Sequence, residues 1–237
     1  MWWSLASAER QLLTWPGGSM RRAFDPDGAH PSRREFGPLT ALDELRLAPG
    51  TTTLEREVAD HETVLFVRRG AVEVHERGRP PCHAGAGSFI ALTGGAGAPF
   101  WLVAEGFDDA CLVRLDFTCA TAPRRGLRPF VPRGDWPVLV GASQHGADGG
   151  VPLESDARVR WVRLRAASEV HVRVAAGRRA WVQLLAGEAA VAGASLVAGD
   201  GAAFEAEPTL LVAARSDVEL LVIDVEDTGD QWLWNGD

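Results

Sequence analysis

The chain has 237 residues, 46% of them hydrophobic: enough for one large or two small domains with real cores, and too apolar for disorder over most of its length. Its 26 glycines and 14 prolines favour a turn-rich, strand-rich protein over a helical bundle. The net charge of −8 argues against nucleic acid or an anionic membrane as the main partner, because both demand a basic face.

All 24 basic residues are Arg, and Lys and Tyr are absent. Schiff-base chemistry and tyrosine acid–base or radical roles are thereby removed. Cys82, Cys111 and Cys119 are odd in number and have no CxxC spacing, as fits a reduced cytosolic protein. The start Met1-Trp2-Trp3-Ser4-Leu5 lacks a basic n-region, and Glu9 and Arg10 interrupt any apolar run, so no signal peptide is expected. No apolar stretch approaches the ~20 residues of a membrane helix. The expected location is the cytoplasm.

In chain order, residues 1–23 read as an N-terminal extension whose best short helix is Ser7 to Leu13. Arg56 to Gly70 reads as a strand entering a tight turn, followed by a strand from Ala71 to His75. Ala84-Gly85-Ala86-Gly87 then leads into Ser88-Phe89-Ile90, and a glycine-rich turn runs up to Phe100-Trp101-Leu102. Ala110 to Leu115 is a further strand. The Pro- and Gly-rich stretch 121–158 reads as a connector, with room for a short strand at Val138-Leu139-Val140. In Val170-His171-Val172-Arg173-Val174 the period of two points the valines at a core and His171 and Arg173 at solvent.

Trp181 to Gly187, Glu188 to Ala192 and Ala198-Gly199-Asp200-Gly201 repeat the earlier order of strand, glycine turn, strand and G-x-G corner. Leu220 to Val225 reads as a buried closing strand. The repeat predicts two stacked small barrels, because glycine relieves the corners of a closing sheet.

This layout resembles the pirin family, including its quercetin 2,3-dioxygenase-like bicupins. The residues that carry the resemblance begin with Phe36-Gly37-Pro38-Leu39, Leu42-Asp43-Glu44 and Pro49-Gly50, followed by Asp60 and Glu62. Gly126-Leu127-Arg128-Pro129 resembles the segment after the first barrel. The half from Leu153-Glu154-Ser155-Asp156-Ala157 through Trp181-Val182-Gln183 to Glu219–Asp224 is similar to the C-terminal cupin of bacterial pirin-like bicupins. The resemblance implies an all-β bicupin: two stacked cupin barrels, of double-stranded β-helix or jelly-roll type, with little helix. The expected domains are a first cupin at 24–120, the connector at 121–158, a second cupin at 159–226 and a tail at 227–237 holding Trp232 and Trp234.

The family places a His-x-His pair at the start of the first run and a His-x-Glu pair at the end of the second. Overlaid without a gap, these ligands fall on Arg56, Val58, Phe100 and Leu102, none of which binds iron. The expected cofactor is therefore none, the alternative being iron or another divalent transition metal on relocated ligands drawn from His61, His75 and His83. Strand parity groups Arg56, Asp60 and Glu62, giving an expected interior ion pair in place of the ion, with Arg56 at the barrel mouth as the competing reading. The same parity turns His61 away from the interior.

Two functions follow. One is a non-enzymatic module that binds a small molecule or a protein partner in a regulatory role, using the old metal positions as a ligand pocket. The other is a quercetin 2,3-dioxygenase-like enzyme with moved ligands, or a metal-free activity.

Overall fold

A computed structural model describes residues 2–24, 35–54, 56–57, 61–93, 99–118, 126–130, 138–144 and 150–227. Strands dominate, and the described residues contain a single short 3-10 turn, Ser7–Glu9. The first strands are β1 (Trp2–Leu5), β2 (Gln11–Trp15), β3 (Gly18–Arg22), β4 (Leu39–Leu47), β5 (Arg56–Glu57) and β6 (His61–Arg69). Next come β7 (Ala71–Glu76), β8 (Cys82–Gly85), β9 (Phe89–Thr93), β10 (Pro99–Glu105), β11 (Ala110–Thr118) and β12 (Gly126–Phe130). The second half begins with β13 (Val138–Gln144), β14 (Val151–Leu153), β15 (Ala157–Leu164), β16 (Glu169–Arg173) and β17 (Arg178–Ala186). It ends with β18 (Glu188–Val191), β19 (Ala194–Val197), β20 (Gly201–Phe204), β21 (Thr209–Ala214) and β22 (Val218–Glu226).

The repeat read from the sequence is real, and it is complete at the level of strand order. In the first half β9-β6-β11-β4 are neighbours in one sheet and β5-β10-β7-β8 form a second. The second half repeats both orders as β20-β17-β22-β15 and β16-β21-β18-β19. Gly70 and Gly187 turn the equivalent corners at φ 71 and φ 81. A Cβ there would lie 2.7 Å from the Asp109 carbonyl oxygen or 2.2 Å from that of Asp217, so only glycine fits.

The G-x-G corners align two residues away from the sequence pairing. Gly87 N–H donates to the Val67 carbonyl at 2.7 Å, as Gly199 N–H does to that of Leu184, so Gly87 matches Gly199. Repeated glycines at spacing two gave two registers, and only hydrogen bonding separates them.

The flanks depart from the expected domain bounds. From Trp2 onward the expected extension supplies edge strands: β1 edges the second half's sheet beside β20, while the β2–β3 hairpin edges the first half's sheet beside β4. The helix expected at Ser7 to Leu13 stops after one 3-10 turn, because Gln11 onward pairs across the Pro16-Gly17 turn. The connector likewise supplies strands to both halves, β12 beside β9 and β13 beside β15, and the expected strand at 138–140 lies within β13.

Alternation assigns the cores. Leu65, Val67, Leu112 and Leu102 pack between the two sheets of the first half, and Val182, Leu184, Leu220 and Val222 between those of the second. The opposite parity (Val64, Phe66, Val113, Leu115 and Phe117 against Val159, Trp181, Leu221 and Ile223) makes a third core where the two seven-stranded sheets face each other. Trp181 anchors it, fully buried and edge-on to Phe24 at 4.9 Å. Among the described residues no helix is long and apolar enough to cross a membrane.

Candidate functional site

The first half holds a cavity of about 310 Å³. Its walls come from β2 and β3 (Leu13, Thr14, Trp15, Met20, Arg22), β4 (Leu45), the segment before β5 (Thr53, Leu54), β10 (Phe100, Leu102) and β11 (Arg114). Phe100 and Leu102 point inward because they share the buried parity of Ala104, and Thr53 Oγ1 accepts the Leu102 N–H at 2.9 Å. Leu54 stands fully exposed at the rim, so an apolar lip borders an apolar interior.

One polar feature crosses that interior. Asp43 on β4 lies in register with Arg22 on β3 and with Arg114 on β11. Asp43 Oδ1 is 3.2 Å from Arg22 Nε, and its Oδ2 is 2.6 Å from Arg114 Nη2. Arg114 Nη2 also meets Asp116 Oδ2 at 3.2 Å, and Asp116 Oδ1 accepts the Thr63 hydroxyl at 2.8 Å. Side-chain exposures of 8%, 0% and 5% for Arg22, Asp43 and Arg114 place this ladder out of water. Charges so desolvated persist only when paired, and the cross-strand register supplies the pairing.

The buried ladder is formed by residues other than the expected Arg56, Asp60 and Glu62. Glu62 is not part of it. Its fully buried carboxylate faces the second half, accepting the Glu154 N–H at 3.0 Å and the Ser155 N–H and hydroxyl at 3.1 and 2.9 Å. Burial pushes the Glu62 carboxyl above its usual range, against the pull of those donors. Arg56 and Glu62 share no parity, because they are not on one strand: β5 belongs to the four-stranded sheet and β6 to the seven-stranded one. On β6 the odd positions Leu65 and Val67 face inward, so half-buried His61 has interior parity, opposite to expectation.

Of the four overlaid positions, Arg56 and Phe100 are direct cross-strand partners, and Phe100 and Leu102 line the cavity. Val58 and Asp60 lie outside the described residues, as do the tail tryptophans Trp232 and Trp234. The three candidate relocated histidines do not come together. His61 opens β6 beside Thr118, whereas His75 and His83 lie on the outer face of the β7–β8 pair. Among the described residues no group of three or more His, Cys, Asp or Glu side chains is gathered in metal-binding geometry.

Sequence reasoning missed Asp43, Arg22, Arg114 and the whole β2–β3 wall. A signal was available. In Leu39–Leu47 and Ala110–Thr118, Asp43 shares the parity of Leu45 and Leu47, and Arg114 that of Leu112.

A family model described as the quercetinase C-terminal cupin domain matches residues 140–225. A putative quercetin 2,3-dioxygenase of Pseudomonas aeruginosa is 26% identical over 201 residues, 82% of this chain and 86% of that protein. A pirin-like protein of Caulobacter vibrioides matches to the same extent, 26% over 201 residues. The chain is similar to the pirin-like bicupins over most of its length. Among solved structures, YhhW of Escherichia coli superposes on this bicupin with a TM-score of 0.88 at 20% identity, covering 95% of this chain and 97% of the other. The same bacterial pirin in complex with nickel(II) gives a TM-score of 0.85 at 21% identity.

Proposed function

We propose that this pirin-like bicupin is a binding protein that holds a small, mainly apolar organic ligand in its first-half cavity, with no catalytic metal there. The observation that carries the reading is the cavity wall itself. Phe100 and Leu102 occupy two of the four overlaid ligand positions and present only hydrocarbon, and a third position is Arg56, a permanent cation. The groups that remain, two guanidiniums already held by Asp43, disfavour a cation and hold the wall rigid. A cavity of about 310 Å³ is at the small end for an organic ligand, and its apolar walls offer burial worth about 25 cal/mol per Å². Occupancy rather than turnover is then the output, as suits a regulatory module.

The second reading, a quercetin 2,3-dioxygenase-type oxygenase, is favoured by the activity named for the Pseudomonas aeruginosa relative. It requires a metal held by residues other than Phe100 and Leu102.

Fluorescence titration with 1-anilinonaphthalene-8-sulfonate, an apolar probe with one anionic group, tests the first reading. The wild type is expected to bind one probe saturably, and Leu102→Trp, which fills the cavity, to lose at least tenfold in affinity. Equal binding by both proteins, or none by the wild type, overturns it. Oxygen uptake with quercetin after loading with iron, nickel or copper tests the rival, and turnover there would establish it instead.

A further inference from the structure

We propose a second site, on the outer face of the first half: a divalent transition-metal site of the zinc class, formed by Glu73, His75 and His83 and oriented by Glu105. The sheet register brings these groups together. Glu73 and His75 stand two apart on β7, so both project from the same face. His83 on β8 is directly opposite Glu73, and Glu105 on β10 is opposite Ala71, on that face again. The inner face of the same strands carries Val72, Val74, Phe100 and Leu102.

Distances fix the roles. His75 Nε2 lies 2.8 Å from Glu73 Oε2, and His83 Nε2 lies 3.5 Å from Glu73 Oε1. On its other side the His83 ring places Nδ1 3.0 Å from each Glu105 oxygen. A proton on Nδ1 donated to that carboxylate leaves the Nε2 lone pair pointing at Glu73, the carboxylate–histidine arrangement that orients metal ligands. The His75 ring is held by Trp101, stacked at 5.0 Å with planes 12° apart. Two imidazole nitrogens therefore flank one carboxylate, the two-nitrogen, one-oxygen set that zinc accepts with a water in fourth place.

The donors stand hydrogen-bonded to one another rather than drawn onto one point. Closing them to the ~2.0–2.2 Å of zinc–ligand bonds requires side-chain turns, chiefly of exposed His83 at 66%, toward the part-buried Glu73 and His75 at 24% and 23%. The two carboxylates give the face a local negative charge that favours a cation. An ion there would clamp β7 to β8, next to the strand whose inner face lines the cavity.

Calorimetric titration of chelator-treated protein with zinc tests the site. One ion per chain is expected, with affinity lowered at least tenfold in both His75→Ala and His83→Ala. Glu105→Gln is expected to weaken binding about 10–100-fold while keeping one ion per chain. The cavity variant Leu102→Trp is expected to bind zinc as the wild type does, which separates this site from the proposed ligand cavity. No saturable binding to the wild type, or unchanged affinity in His75→Ala or His83→Ala, overturns the proposal.

Discussion

Asp43→Asn is the sharpest perturbation of the interior ladder. The substitution keeps the side chain's size and removes the charge that lies between Arg22 Nε at 3.2 Å and Arg114 Nη2 at 2.6 Å. Deleting one partner of a buried ion pair costs about 3–5 kcal/mol, against about 0–1 for an exposed pair. Arg114 keeps Asp116 at 3.2 Å, which sets the expected loss at the lower end, about 3 kcal/mol. For a chain of this size each kcal/mol moves the midpoint by about 2–4 °C, so the thermal midpoint should fall by about 6–12 °C. Circular dichroism melting with matched urea unfolding measures both quantities. Replacing the three residues at the centre of the ladder, as Arg22→Met, Asp43→Leu and Arg114→Met together, should be milder than Asp43→Asn alone, because the one charge left behind, Asp116, is 16% exposed and keeps the Thr63 hydroxyl. An Asp43→Asn protein within about 0.5 kcal/mol of wild type would refute the reasoning, since that is the range of an ordinary surface change.

Further outcomes are expected at Glu62, at three glycines and at His83. Glu62→Gln should lower stability by about 1–3 kcal/mol, because an amide cannot accept from the Glu154 and Ser155 donors as a carboxylate does; urea melts report it. The raised pKa of Glu62 also sets a sign: the protonated form is favoured by folding, so its contribution is full below the ordinary value of 4.5 and is lost as pH rises through the higher folded value. Glu62→Gln should flatten that decline in a stability–pH profile.

Gly70→Ala and Gly187→Ala should each cost more than Gly50→Ala in urea melts. All three have positive φ, but a Cβ at Gly50 meets nothing within 4 Å while the other two strike backbone. The His83 imidazole, held protonated to higher pH than usual by its hydrogen bond to Glu105, should titrate lower by NMR in Glu105→Gln.

Much of the fold was legible because glycine corners and period-two strands are local. Val172 and Val174 are buried and His171 and Arg173 exposed, as alternation requires. The edges were not legible, since nothing local tells Trp2–Leu5 to join β20 nearly two hundred residues away. Glu62 shows the limit of parity: alternation holds along one strand and does not carry from β5 to β6 when these lie in different sheets. Phe100 and Leu102 were found through the family's motif. Arg22, Asp43 and Arg114 needed the cross-strand register, which puts all three side by side.

The central claim is that the first-half cavity works without a metal. Its most direct test is elemental analysis of tag-free protein carrying His75→Ala and His83→Ala, which removes the proposed outer-face ligands, after exposure to iron, nickel, copper and zinc and then desalting. The account predicts well under one ion per chain for every metal. About one tightly held ion per chain would contradict it and would place a metal centre in the cavity after all.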